Sequence, residues 1–405
     1  MAIVWTPDAT KVEDADLIAR AEAMTYEGRA PLSETSISLL GDISRQILAS
    51  PVARAQPQYV ALGYWLRPAS LKRLCDGFRG DLERPGFVAA PRGVALHLPP
   101  TNVDTIFVYS WALSLLAGNC NIVRMPTNAD AGTEWLVKLI AGAIENAGES
   151  DRHIFCQLPQ SGALNDAVSA CCDLRMIWGG DEKVAAVNLT PIRPDGLSIG
   201  FPDRKSISVI AANAYRAADA ATRDALAGQF FNDIYWFDQM GCGSPRILFW
   251  LGQPEDLADD LFVRLDAELS RRSYAPETGV SIGKFALLND LLAEGVGHAA
   301  QRYSAGLDII DTHDPSAAMS RTHGGGFLAQ TVVDNVLQIA ACVTRKVQTI
   351  GYFGLDKGKL QELAHGIAGR GGYRIVPIGQ ALQFDSTWDG VPLLAHMTRR
   401  IQLID

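Results

Sequence analysis

Gly93-Val-Ala-Leu-His-Leu-Pro99 is a short apolar run halted by two prolines, and its length and breakers mark a buried strand. Asn102 to Ala117 follows as a helix closed by Gly118. The same pairing recurs downstream. Strand Asn121-Ile-Val-Arg-Met-Pro126 leads to a helix over Ala131 to Ala147, and strand His153-Ile-Phe-Cys-Gln-Leu-Pro159 to a helix over Ala163 to Ala170. Leu174-Arg-Met-Ile-Trp178 completes the series. Apolar strands separated by longer amphipathic segments predict a doubly wound parallel sheet covered on both faces. Residues 86–215 are therefore expected to form a dinucleotide-binding-type α/β domain.

Working outward, residues 10–80 read as helical, and 1–85 is expected to be a helical segment packed on that domain. Downstream, a helix from Ala217 to about Asp233 leads to a second α/β region, 216–372. Its helices are Glu255 to Arg272 and Phe285 to Ala293, and Gln348-Thr-Ile-Gly-Tyr-Phe353 is one of its strands. The tail, 373–405, opens with the strand Tyr373-Arg-Ile-Val-Pro-Ile378 and is a candidate oligomerisation element.

Composition narrows the function. Of 405 residues, 48% are hydrophobic and 20% charged, enough apolar material for a large core. With Lys+Arg 36 and Asp+Glu 45, the net charge of −9 offers no basic field to nucleic acid or to an anionic membrane. The most apolar run, Ile106 to Ala117, falls well short of the roughly 20 residues that span a bilayer. The N-terminal MAIVWTPDAT lacks the basic-then-apolar pattern of a secretory signal, so a cytoplasmic protein is expected. Seven cysteines without framework spacing point to thiols rather than disulfides.

Several standard signatures are missing: H-E-x-x-H, G-x-S-x-G, paired C-x-x-C, and G-x-G-x-x-G after a strand. Gly354-Leu-Asp-Lys-Gly-Lys359 lacks phosphate-loop spacing and is followed by Leu360. The histidines are scattered and Cys171-Cys172 are adjacent, so no metal site is expected. One segment stands out, Trp236-Phe-Asp-Gln-Met-Gly-Cys242-Gly-Ser-Pro245. A cysteine between two glycines has little cover from its neighbours, and its backbone N–H can approach a ligand closely. The alternative is a turn cysteine packed as a small hydrophobe.

The ensemble resembles the aldehyde dehydrogenase superfamily, and within it the LuxC-type fatty acyl-CoA reductases. The anchors are His97-Leu-Pro-Pro-Thr-Asn102-Val, Gly118-Asn119 with Val123-Arg-Met-Pro, Trp178-Gly-Gly-Asp181, Phe237-Asp-Gln-Met-Gly-Cys242-Gly-Ser-Pro, and Phe384-Asp-Ser-Thr-Trp-Asp-Gly390. The resemblance implies an aldehyde dehydrogenase-like α/β fold, a Rossmann-type cofactor domain plus a second α/β catalytic domain. It implies a Cys242 nucleophile that takes an acyl group from acyl-CoA or an acyl carrier and is discharged by hydride to the aldehyde. Asn102 matches the family's oxyanion donor, with helix N-capping as its alternative role.

Pro100, Thr101, Gly179, Gly180 and Asp181 match the cofactor-binding segments, with Asp181 replacing the usual serine and readable as an N-cap. Arg124 stands where the superfamily has a lysine near the adenosine ribose, and the carboxylate that usually follows is absent from Pro126-Thr-Asn-Ala129. That favours NADPH, with NADH still accommodated. Phe201 stands at about the place of the glutamate that activates hydrolytic water in the resembled superfamily, which favours a reductase over a carboxylate-producing dehydrogenase; the alternatives are a hydrolytic or CoA-acylating aldehyde dehydrogenase, or a non-catalytic scaffold for an acyl-activating partner. Asp203 is a candidate substitute base, and His97 and His323 are candidate proton donors. An acyl-protein synthetase partner is implied. A homodimer is expected through the Gly86 to Arg92 region and the C-terminal strand.

Overall fold

Parallel strands need apolar cover on both faces, and the strand–helix alternation supplies that cover twice in this chain. The computed structural model describes residues 2–5, 8–24, 29–100, 103–127, 129–159 and 161–404. They divide into two units, Met1–Pro202 with Phe384–Asp405, and Asp203–Gln383. The first unit begins with a hairpin, β1 (Ala2–Trp5) and β2 (Ala9–Val12), while β3 (Phe87–Pro91) stands apart from the main sheet. β4 (Val94–Leu98), β5 (Cys120–Met125), β6 (His153–Gln157), β7 (Leu174–Trp178) and β8 (Leu197–Phe201) follow. They assemble in the order β2-β1-β6-β5-β4-β7-β8, parallel from β6 to β8 and antiparallel at the hairpin edge.

The hairpin corrects the expectation that residues 1–85 are a helical segment. β1 pairs with β6 through Val4↔Cys156, and Val4 is fully buried, so this short strand is part of the sheet. The helix Ile106–Leu116 is buried at every position. It is apolar all round because it lies between the sheet and the helices Glu34–Ala49 and Pro57–Trp65, whose Leu40, Ile43, Ile47 and Leu62 share its core.

The second unit runs β9 (Lys205–Ala211), β10 (Pro245–Leu251), β11 (Gly297–Ser304), β12 (Leu307–Thr312), β13 (Phe327–Val333), β14 (Val347–Phe353) and β15 (Arg374–Pro377). Their order is β11-β12-β13-β10-β9-β14-β15, parallel except where β11 meets β12. The division therefore falls at Pro202/Asp203 and not at 215/216, because β9 pairs with β10 and β14. The tail also divides differently from the sequence reading, since β15 ends the second sheet and Phe384 onward belongs to the first unit. There β16 (Thr387–Trp388) and β17 (Val391–Pro392) form a short hairpin, and β18 (Thr398–Gln402) pairs antiparallel with β3. Phe384 stacks on Tyr109 at 4.9 Å, and Trp388 meets Trp178 edge-on at 5.4 Å, so the Phe384-to-Gly390 motif anchors the tail to the first core.

A buried polar chain runs through the first core. Ser110 Oγ–H donates to His97 Nδ1 (2.7 Å) and accepts from Trp178 Nε1–H (3.1 Å), and His97 Nε2–H donates to Asn121 Oδ1 (3.0 Å). Asn121 Nδ2 and Trp111 Nε1 both donate to His153 Nδ1, each at 3.3 Å, which puts the His153 proton on Nε2. His97 is thus a structural histidine, and burial pushes its pKa down to about 4 and that of His153 to about 3. Both are held neutral in the fold. The stability this gives is present above the ordinary histidine pKa and is lost as pH falls from there through the folded values. Acidification from pH 7 to 4 should cost on the order of a few kcal/mol. In calorimetric unfolding, His97→Gln is expected to be less stable than wild type at pH 7 and to lose less on acidification.

Candidate active site

Of the seven free thiols, five are buried and two, Cys242 and Cys342, are partly exposed. Burial raises the thiol pKa of Cys75, Cys120, Cys171, Cys172 and Cys342, and pushes Cys156 up to about 12. Those six are held as inert thiols. Cys242 sits in the second unit on the turn that enters β10, where Ser244 N–H bonds back to Gly241 O at 3.0 Å. Its own carbonyl accepts from Ser206 Oγ (2.7 Å), which in turn accepts from Thr349 N–H (3.1 Å), so the turn is tied to β9 and β14. A Cβ at Gly243 would come within 2.5 Å of Ala381 O, which explains why that neighbour of the cysteine is glycine.

Ala381 is itself fixed. After β15 the chain runs back along the helix Ala220–Tyr235, and the buried Asp233 carboxylate accepts from Gly379 N–H (2.6 Å) and Ala381 N–H (3.0 Å). Burial raises the Asp233 pKa to about 7, against the opposing pull of those two donors and of Arg374. Arg246, four residues after Cys242, lies on β10. Its guanidinium donates to His323 O (2.9 Å), and burial lowers its pKa to about 10 while the Cys242 thiol and Asp203 pull it up. A cation within electrostatic reach favours the thiolate form of Cys242. His323 is partly exposed, with Nδ1 facing Gly324 O at 3.3 Å, and Asp203 is exposed, 3.8 Å from the Lys346 ammonium.

The proposed cofactor residues lie in the first unit, at the carboxyl ends of its strands. Gly179 follows β7 and donates to Phe201 O (3.2 Å), Gly180 caps the helix Asp181–Asn188, and Pro100 follows β4. Asp181 is thus the first helical residue, not the N-cap that the sequence suggested. Thr101 and Asn102 lie outside the described residues; the helix that follows begins at Ile106, with Thr105 at its cap position. Phe201 is buried and stacks on Trp178 at 4.1 Å.

Arg124, next to last in β5, has 8% of its surface exposed and no hydrogen-bond or ion-pair partner among the described residues. Lys183, which sequence reasoning missed, lies in the crevice between β4 and β7, where successive helices leave on opposite sides of the sheet. Its ammonium donates to Pro99 O (2.8 Å), Trp178 O (2.7 Å) and Leu98 O (3.4 Å). Burial and Arg124 lower its pKa to about 8. A lysine in the first turn of a helix opposes the macrodipole, and that was its legible signal. Two desolvated cations without a carboxylate partner among the described residues are a fit for a phosphate-bearing cofactor.

A family model described as Acyl-CoA reductase (LuxC) matches residues 81–400. A long-chain acyl-protein thioester reductase 2 from Photobacterium leiognathi is 26% identical over 178 residues, covering 42% of this chain and 35% of that protein. Among solved structures, proline utilization A from Bradyrhizobium japonicum (a D779W mutant) superposes with a TM-score of 0.69 at 14% identity. That match covers 97% of this chain and 45% of the other. A lactaldehyde dehydrogenase gives 0.66 at 11% identity, covering 96% and 90%, and an oxidoreductase from Marinobacter aquaeolei 0.69 at 12%, covering 98% and 92%. The fold is that of the aldehyde dehydrogenases. This chain spans under half the length of the first two of these relatives.

Arg246→Gln is expected to move the pH midpoint of Cys242 alkylation by iodoacetamide upward. Peptide-resolved mass spectrometry across pH checks it, and an unmoved midpoint would remove Arg246 from the account.

Proposed function

The chain belongs to the LuxC acyl-CoA reductase family, and from that premise we propose that it reduces an acyl thioester to the aldehyde through a thioester on Cys242. The observation that carries this reading is the partly exposed thiol on a backbone-braced turn, with the Arg246 guanidinium within electrostatic reach. The Cys242 thiolate attacks the carbonyl carbon of the donor, forming the new C–S bond as the donor C–S bond breaks and the donor leaves as a thiolate. Exchange of one thioester for another changes bond energy little, so the step depends on placement and on stabilising the oxyanion. When bound, a reduced nicotinamide supplies the hydride that turns the acyl-enzyme into a thiohemiacetal. Collapse breaks the C–S bond to Cys242, frees the aldehyde and restores the thiolate. One proton is taken up overall, with the donor thiol as co-product. Phe201, packed on Trp178, offers no base to hydrolytic water, which supports reduction over carboxylate formation.

Arg124 and Lys183 are the proposed phosphate contacts. The helix Asp181–Asn188 already carries Asp181 and Glu182 in its first turn, so positive charge for a phosphate comes from the Arg124 and Lys183 side chains. The Arg124 guanidinium, without a partner among the described residues, supports NADPH over NADH by binding a 2′-phosphate. The acyl donor is acyl-CoA or an acyl group carried on a protein, the latter supplied by an acyl-protein synthetase. A homodimer is supported by the β3–β18 ribbon, where Val88 and Ile401 pair with both side chains exposed. Among the described residues no helix is long and apolar enough to cross a membrane. The free thiols suit a reducing compartment.

With octanoyl-CoA and NADPH, wild type should form octanal, and Cys242→Ala should lower that rate at least about 10,000-fold. Aldehyde formation by the alanine variant near the wild-type rate would end this reading. Arg124→Met should weaken NADPH binding about tenfold and leave NADH binding nearly unchanged, read from nicotinamide fluorescence in a titration.

A further inference from the structure

The side-chain amide of Gln239 uses every hydrogen-bonding position it has. Nε2 donates to Pro245 O (2.8 Å) and Phe327 O (2.9 Å), and Oε1 accepts from Gly326 N–H (2.9 Å) and Phe327 N–H (3.1 Å). The residue has 0% exposure. An apolar side chain of similar volume fills such a space without needing four aligned partners, so the amide is there for its directionality.

The backbone around it is strained. Asp238 (φ 48°) and Gln239 (φ 63°) are consecutive non-glycine residues in the left-handed region. Such a kink persists only when its surroundings over-determine it, and here they do. Asp238 O accepts from Gly325 N–H (2.9 Å), and the Asp238 carboxylate accepts from Tyr274 OH (3.0 Å). On the far side of the turn, Gly325 O is held by the fully buried Lys284 ammonium (2.8 Å), itself 3.0 Å from the Asp308 carboxylate. A Cβ at Gly324 would fall 2.5 Å from Asp238 O, so the two segments are in close backbone contact.

Gln239 stands three residues before Cys242 and grips the carbonyl three residues after it. We propose that Gln239 is the positioning residue of the Cys242 nucleophile: it clamps both stems of the Phe237–Pro245 loop to the Gly324–Phe327 turn and so fixes the direction in which the thiolate meets the acyl carbonyl. The inference rests on Cys242 being the acyl acceptor. It assigns Gln239 no contact with substrate. Its effect reaches the reaction only through the path of the loop backbone, which Ser206 completes by holding the Cys242 carbonyl.

Two reactions of the same thiol separate positioning from reactivity. Alkylation by iodoacetamide needs a thiolate and little orientation, whereas acyl transfer from octanoyl-CoA needs an aligned approach. Both are followed by intact mass in single-turnover, rapid-quench experiments on the full chain. Gln239→Met, which keeps the volume and loses all four bonds, should slow acyl transfer about 100-fold and change alkylation less than about threefold. Gln239→Glu keeps the shape; its ionised carboxylate faces two carbonyl oxygens, and its protonated form donates again to one of them. The ratio of its acyl-transfer rate to that of wild type should therefore rise as pH falls, read at pH values where circular dichroism shows both proteins fully folded, so that loss of stability does not supply the trend. If the methionine variant does not fold, this pH-dependent ratio decides. Acyl transfer at the wild-type rate in both variants overturns the inference, as does an equal slowing of transfer and alkylation with a ratio independent of pH. If wild type itself is alkylated at Cys242 and takes no octanoyl group, the acyl-acceptor reading fails, and not the clamp.

Discussion

A sheet covered on both faces leaves only the ends of its strands open to a ligand, and that constraint arranges everything chemical in this chain. In the first unit the cover comes from the wholly buried helix Ile106–Leu116 and its neighbours, and the polar groups left at the edge are Arg124, Gly179 and Lys183. In the second unit Cys242 precedes β10, so its turn lies at the amino end of that sheet. Each edge depends on long-range hydrogen bonds for its shape.

Those bonds explain the glycines around Cys242. Gly243 lets Ala381 approach, Gly324 lets Asp238 approach, and the segments so admitted are then fixed by Asp233 and Gln239. Small residues give closeness and buried polar residues give definition. A loop made only of the former would be free to relax, and one made only of the latter could not pack. In the proposed mechanism the Cys242 turn needs both, because thioester exchange has little driving force of its own and responds mainly to geometry.

Much of this was legible in the sequence. The strands from β4 to β7 are short apolar runs ended by proline or glycine, and the structure follows them almost residue for residue. The thiol was visible because Gly-Cys-Gly is a local pattern. The hairpin β1–β2 was not, since four-residue strands carry too little periodicity to register, and their pairing with β6 joins residues far apart in the chain. The boundary was misplaced for the same reason: only the pairing of β9 with β10 and β14 assigns it to the second sheet. Gln239 and Phe327, or Asp233 and Gly379, are likewise separated by most of a domain, so no window along the chain contains both partners. Lys183 and Arg246 left weaker traces, a cation in a first helical turn and another in a buried strand.

The central claim is that one sulfur carries the acyl group and surrenders it to reduction. It is tested most directly by isolating the chain after incubation with octanoyl-CoA, mapping the adduct by peptide mass spectrometry, and adding NADPH in the absence of free CoA. The account predicts a single octanoyl group on Cys242, discharged as octanal with one NADPH consumed per aldehyde. An adduct on another residue, or discharge as octanoate, would contradict it.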